Sequence, residues 1–207
     1  MTELTIPTTP EELAAIGAGP QFFPASFAEY LTVVPATELR AEFVDDQIVL
    51  MSYATLIHEV IVMRLGSLFN QLNLAEFLVV GSNHLVLRRG MPKAFAPDIF
   101  IVRGKPKRTR PTGRVSMITN PWLIVEVLSP GTEAYDLGIK LPTYKKFPSV
   151  QYILYVYQAE PRLTLHTRID RQLWRSEDFD TQSAPIAIAD LSISVGEVYR
   201  ELPGEEE

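Results

Sequence analysis

The sequence predicts an α/β (α+β) fold, a mixed β-sheet flanked by helices. Three observations predict it. Short apolar runs bounded by turn formers recur through the middle of the chain: FLVVG (77–81), HLVLR (84–88), DIFIV (98–102), WLIVEVL (122–128) and VQYILYVY (150–157). One longer segment, Thr55 to Leu72, instead repeats Ile57, Ile61, Leu65, Leu68 and Leu72 at helical spacing. The order of the two kinds is helix, several strands, helix, strand.

The elements follow in order. Residues 1–25 read as irregular, with a short helix near Pro10 to Ile16. SFAEYL (26–31) predicts a short helix capped by Ser26. LRAEFV and QIVLMS flank Asp45-Asp46, so residues 39–52 predict a β-hairpin. After the long helix come the strands already named, and Ser129-Pro130-Gly131-Thr132 is a turn. Pro142 is tolerated only in a first turn, so the second helix should start near Leu137 to Leu141 and end before Pro148. RLTLHTR and RQLWRS predict a hairpin around Ile169-Asp170, LSISV a strand, and Gly196 to Leu202 a short helix. Residues 1–35 are expected to form an extension packed on the domain, 36–200 the domain itself, and 201–207 an acidic tail.

Composition narrows the function. A length of 207 residues favours one domain with a substantial core. No run of about eighteen apolar residues occurs, so no membrane span is expected. The N-terminal stretch is acidic and lacks a basic region before an apolar core, so it does not read as a secretory signal. The absence of cysteine excludes disulfides, thiolate catalysis and zinc–thiolate sites, and fits a cytoplasmic location. A net charge of −6 argues against a general polyanion binder. The average hides an asymmetry. Nine of the nineteen Lys and Arg residues lie between Arg88 and Arg114: Arg88, Arg89, Lys93, Arg103, Lys105, Lys107, Arg108, Arg110 and Arg114. The span reads either as a phosphate-attracting face or as a solvated loop.

Glu126 is the anomaly in WLIVEVL. A carboxylate in a buried strand must be neutralised, paired or bound to a metal. Trp122, Ile124, Glu126 and Leu128 share one face by alternation. Asp98 opens DIFIV after Pro97, and the two strands are expected to be antiparallel neighbours or near neighbours. If both acids face one side, they repel unless a cation lies between them. Oxygen-only ligation suits Mg2+, which takes one or two carboxylates, water and substrate phosphate. Lys140 is the competing cation. Asp136, Lys140 and Tyr144 are spaced four apart and share a face where the segment is helical. A structural Glu126–Lys140 pair explains the carboxylate as well as a metal does.

Pro97-Asp98 with Glu126-Val127-Leu128 resembles the PD-(D/E)XK nuclease pattern, except that Leu128 stands where the strict motif has lysine. AEFVDDQIVLMS with His58, APDIFIV, LIVEVLSPGT and DLGIKLPTYKKFPSVQYILYV together resemble the Uma family of bacterial proteins described as restriction endonucleases, from about Glu38 to Tyr199. That resemblance implies a restriction-endonuclease-like αβββαβ core with an added N-terminal hairpin. It also implies a metal-dependent endonuclease acting on DNA with Mg2+ or Mn2+. Asp98 and Glu126 would be metal ligands, with the Val127 carbonyl as a third, and Lys140 the catalytic lysine. Glu42 would be an outer acid or second metal ligand. His58 and Tyr144 would line the same cleft. The sequence departs from the family at 153–156, where Trp-x-Val-Asp is common and Ile-Leu-Tyr-Val stands here.

In that reading Arg88, Arg89, Arg103, Lys105, Lys107, Arg108, Arg110 and Arg114 grip DNA phosphates, and cutting both strands implies a homodimer. Two other readings remain open: a non-catalytic nucleic-acid-binding or scaffold protein that keeps the fold, and a hydrolase of small phosphate esters.

Overall fold

The computed structural model describes residues 6–51, 54–73, 75–82 and 84–203. In chain order the strands are β1 (Gln21–Pro24), β2 (Arg40–Val44), β3 (Gln47–Met51), β4 (Phe77–Gly81) and β5 (Leu85–Arg88). They continue with β6 (Lys93–Phe95), β7 (Ile99–Arg103), β8 (Arg108–Thr109), β9 (Met117–Ile118) and β10 (Leu123–Leu128). The last are β11 (Tyr152–Tyr157), β12 (Leu163–Arg168), β13 (Trp174–Phe179), β14 (Pro185–Ile188) and β15 (Leu191–Ser194). The helices are α1 (Pro10–Ala14), α2 (Phe27–Val33), α3 (Leu56–Phe69), α4 (Glu133–Tyr135), α5 (Leu141–Tyr144) and α6 (Val195–Tyr199). A π-helical turn, Asp136–Lys140, joins α4 to α5. The mixed α+β class expected from the sequence holds. The single sheet does not: the strands divide between a seven-stranded and a six-stranded sheet, with β14–β15 a separate pair.

The sheets belong to two compact units. The first comprises the described residues of Met1–Tyr53, Asn83–Ala96 and Lys107–Thr119. Its sheet runs β1-β3-β2-β6-β5-β9-β8. The helix expected near Pro10 to Ile16 is α1, which starts from a Thr9–Glu12 capping box, and the stretch read as irregular after it supplies β1 at one edge. α2 starts from a second box made by Ser26 and Glu29, as the sequence signals. The β2–β3 hairpin turns through Asp45 and Asp46 at φ 48° and 56°, the left-handed conformation that a two-residue primed turn demands. Ser52 of the expected hairpin lies outside the described residues, as do residues 204–207 of the expected tail. The core of this unit is built on Tyr30, Phe43, Ile48, Leu50 and Met117.

The second unit comprises the described residues of Ala54–Ser82, Pro97–Pro106 and Asn120–Glu207. Its sheet runs β13-β12-β11-β10-β7-β4, with β10–β11 parallel and the other pairs antiparallel. Alternation gives each strand two faces. Leu123, Val125 and Val127 of β10 point into an apolar core with Ile99, Ile101, Leu154, Val156, Leu163 and Leu165. α3 closes this core with Ile61, Leu65 and Phe69, all fully buried at i, i+4 and i+8. Burying side chains of this size contributes roughly 1.5–3 kcal/mol each. The opposite face of the same strands carries Glu126 and Tyr155, at paired positions on β10 and β11.

The second helix differs from expectation in a way that matters for the site. It does not begin near Leu137 to Leu141. Helical backbone starts at Glu133, widens to π geometry at Asp136–Lys140 and resumes through Tyr144. Proline has no N–H to give the carbonyl four residues back and its ring crowds that carbonyl. A widened turn just ahead of Pro142 accommodates both effects without ending the helix.

Candidate active site

Strand register places the two acids. β7 and β10 pair antiparallel, Val125 opposite Ile99, so one further step sets Asp98 opposite Glu126. Opposed residues in an antiparallel pair project to the same face. Both carboxylates are buried, at 2% exposure each. The ladder between these strands stops at Val125–Ile99, and the Asp98 side chain continues it: Oδ2 accepts the Val127 N–H at 2.7 Å. His58, buried in the first turn of α3, brings Nε2 to 3.2 Å from the same oxygen. The Thr55 hydroxyl caps that turn by accepting the His58 N–H, which seats the ring where the chain enters the helix.

The helix supplies the other half. Lys140 donates to Glu126 Oε1 at 3.2 Å, and Tyr144 OH donates to the same oxygen at 2.5 Å. The Lys140 ammonium also meets Asp136 Oδ1 at 2.9 Å and stands 5.4 Å from the centre of the Tyr135 ring. Lys140 is 1% exposed and Asp136 3% exposed. Three carboxylates, Asp98, Glu126 and Asp136, therefore share this buried region with one ammonium and one imidazole. The sequence spacing of Asp136, Lys140 and Tyr144 anticipated their shared face. It did not reveal the π turn that gives them their aim.

The structure thus brings together Asp98, Glu126, Val127, Lys140, Tyr144 and His58 in the second unit. Glu42 belongs to the first. There it is fully buried, accepts the Ala96 N–H at 2.9 Å and lies 4.0 Å from Arg40 Nε. Burial, aided by the Glu42 charge, pushes the Tyr30 phenol of that unit well above its ordinary ionisation range. Among the described residues, no three His, Asp or Glu side chains converge as a ready ligand sphere. The residues one step beyond the last β7–β10 pair are the two carboxylates, and one or two carboxylates are the share of a coordination shell that Mg2+ usually takes from a protein.

A family model described as "Putative restriction endonuclease" (Uma2) matches residues 27–196. The chain belongs to the Uma2 family. Two proteins of the cyanobacterium Synechocystis are similar to it, both called uncharacterized. One, slr1290, is 30% identical over 84% of this chain and 90% of its own length; the other, sll1609, is 23% identical over 80% and 93%. Among solved structures, a "putative nuclease belonging to DUF820" from Anabaena variabilis superposes with a TM-score of 0.70 at 16% identity. That likeness covers 85% of this chain and 98% of the other, and it establishes a shared fold.

The basic span of this Uma2 chain is not one loop. Arg88, Arg89, Lys107, Arg108, Arg110 and Arg114 fall in the first unit, while Arg103 and Lys105 fall in the second. All but the half-buried Arg88 are exposed. β8 interrupts the stretch by pairing with β9 just beyond it, where Val115, Met117 and Ile118 are apolar enough to bury. Lys93, counted with the span, instead pairs with Asp45 at 2.7 Å beside the β2–β3 turn. Arg103 is shared between Glu76, at 3.6 Å, and the face of Phe77. No helix among the described residues is long and apolar enough to cross a membrane.

Proposed function

We propose that this Uma2 protein is an endonuclease that hydrolyses DNA phosphodiester bonds with Mg2+ or Mn2+. The observation that carries the reading is the surplus of buried negative charge at the point where β7, β10 and the π turn meet. A structural pair would need one acid for Lys140. Here the ammonium already answers Asp136 and Glu126, and a third buried carboxylate, Asp98, lies one residue beyond the Val125–Ile99 pair, held by the Val127 N–H and His58 Nε2. A divalent cation held by Asp98 and Glu126 would offset that surplus. The Val127 carbonyl is a further oxygen in its reach, since a strand residue presents N–H and C=O to the same edge and the Val127 N–H already meets Asp98. The family description supports DNA as the substrate.

The bound ion would supply Lewis-acid stabilisation of charge on the phosphoryl oxygens and favour deprotonation of water. The chain's own residues do the rest. The Val127 N–H and His58 fix the Asp98 carboxylate, and Tyr144 and Lys140 fix that of Glu126. The Lys140 ammonium orients the attacking water and stabilises the negative charge that develops on the phosphate. Exposed Arg and Lys residues of the basic span hold backbone phosphates, with little sequence information. Cutting both strands of a duplex calls for two such sites, which a symmetric dimer would provide.

The test is nicking of supercoiled plasmid with Mg2+ or Mn2+ and an EDTA control. Asp98→Ala and Glu126→Ala should each lower the rate on the order of 10²-fold or more. Plasmid that is bound yet stays intact with both metals would overturn the reading in favour of a non-catalytic DNA-binding protein.

A further inference from the structure

We propose that Tyr155 is a positioning residue of this site: its hydroxyl holds the π turn in the register that delivers Lys140 and Tyr144 to Glu126. The catalytic consequence rests on the nuclease reading; the hold on the turn does not.

Tyr155 stands on β11 at the position paired with Glu126, so its phenol rises from the sheet on the carboxylate's face. It is fully buried, and His166 packs edge-on against its ring at 5.8 Å between centroids. Its hydroxyl donates to the main-chain carbonyl of Asp136 at 3.0 Å. That carbonyl is the one on which the turn depends. In an α-helix it would accept the N–H of Lys140, four residues on. Here it accepts the N–H of Leu141, five residues on. The phenol occupies the carbonyl's second acceptor position from the sheet side. Burial, reinforced by the charges of Glu126 and Asp136, pushes the ionisation of Tyr155 far above that of an ordinary phenol, so the group remains a donor at working pH.

The register matters because a π turn inserts one residue. Collapse to α geometry would rotate everything beyond it by about 100° relative to α4. Lys140 and Tyr144 both converge on Glu126 Oε1 in the present register. A swing of that size would take both away from the carboxylate together. Pro142 favours a widened turn but exerts no pull toward the sheet. The Tyr155 bond is what ties the turn to the strand beside Glu126.

The experiment compares Tyr155→Phe with Tyr199→Phe. Tyr199 is a control in the same unit, whose hydroxyl donates to the carbonyls of Tyr157 and Arg162. Two quantities are read in each: amide hydrogen exchange at Leu141, and kcat and KM for plasmid nicking. Tyr155→Phe should speed Leu141 exchange on the order of 5–10-fold. It should also lower kcat on the order of tenfold or more with KM little changed, because groups that align the reacting atoms would be lost but not the phosphate grip. Tyr199→Phe should do neither. Unchanged Leu141 exchange in Tyr155→Phe would overturn the proposal and leave Pro142 sufficient to hold the turn. A kcat loss no larger than that of the control would overturn its catalytic half. If the wild-type protein nicks nothing, the nuclease reading has failed, and Leu141 exchange still decides whether Tyr155 holds the turn.

Discussion

Replacing Lys140 with methionine removes one charge and keeps most of the side-chain volume. The ammonium lies 3.2 Å from Glu126 and 2.9 Å from Asp136, and all three residues are almost wholly buried. At an effective dielectric of about 20, those separations correspond to attractions of about 5 and about 6 kcal/mol. Desolvation of the three ions offsets several kcal/mol each, so the gross figure is not the stability at stake. The decisive term is what remains afterwards: two carboxylates in a buried space with no ammonium between them. Breaking a buried pair in this way costs about 3–5 kcal/mol. Urea denaturation near pH 7 without divalent metal, followed by circular dichroism, should show Lys140→Met lower by that amount. The double variant Lys140→Met/Glu126→Gln should recover part of the loss, since one of the two stranded charges is gone. A Lys140→Met protein within about 0.5 kcal/mol of wild type, the range of ordinary surface changes, would refute the charge accounting on which the site rests.

Two further outcomes follow from other parts of the molecule. Burial, with Lys145 nearby and Asp178 only partly opposing, lowers His166 from an ordinary 6.5 to about 4. The unfolded chain therefore binds a proton between those values while the folded chain does not, so stability should fall as pH drops from about 6.5 toward 4. Replacing His166 with glutamine should flatten that part of a denaturation-versus-pH curve; an unchanged slope would place its origin elsewhere. Charge reversal in the basic span should lower DNA affinity and reduce the salt slope by about one for each phosphate no longer neutralised. Reversing Lys107, Arg108, Arg110 and Arg114 separately from Arg103 and Lys105 shows which unit carries the grip, read by titration at several salt concentrations. An unchanged slope in both variants would remove the span from the DNA-binding surface.

Much of the site was legible because its logic is local or periodic. Glu126 stood out as a charge in a run of aliphatics, and alternation set its face within the strand, though Trp122, read onto that face, packs in the opposite core because it precedes the strand's first pair. The antiparallel pairing of β7 with β10 follows from two adjacent runs with a long connection, and it alone sets Asp98 opposite Glu126. Lys140 and Tyr144 follow from a four-residue spacing. What failed were inferences that a single segment cannot support. The runs at 85–88 and 99–102 look alike, yet β5 and β7 join different sheets. Alternation says which way a side chain points and nothing about which sheet the strand enters. The two-residue strands β8 and β9 pair because Met117 and Ile118 find a buried place, a tertiary fact with no local signature.

Pro142 shows the same limit at the centre of the site. Propensity confined it to a helix's first turn, which is where it would sit if the helix had only α geometry available. The chain instead keeps the helix and changes its pitch, and the sheet supplies a hydroxyl at Tyr155 to meet the carbonyl that the change exposes. Stability alone gives little reason for such an arrangement. A buried ion pair is commonly no better than well-packed apolar groups of the same volume, and here two buried carboxylates meet one ammonium while a third, Asp98, is held by His58 and the Val127 N–H. A sheet face that needed only packing would have taken leucine at 126, as the same strand does two residues on at the buried Leu128. On the proposed reading, the residues that make this face costly are the ones that would hold a cation, a phosphate and a water in line. That is the physical argument for reading them as chemistry rather than as architecture.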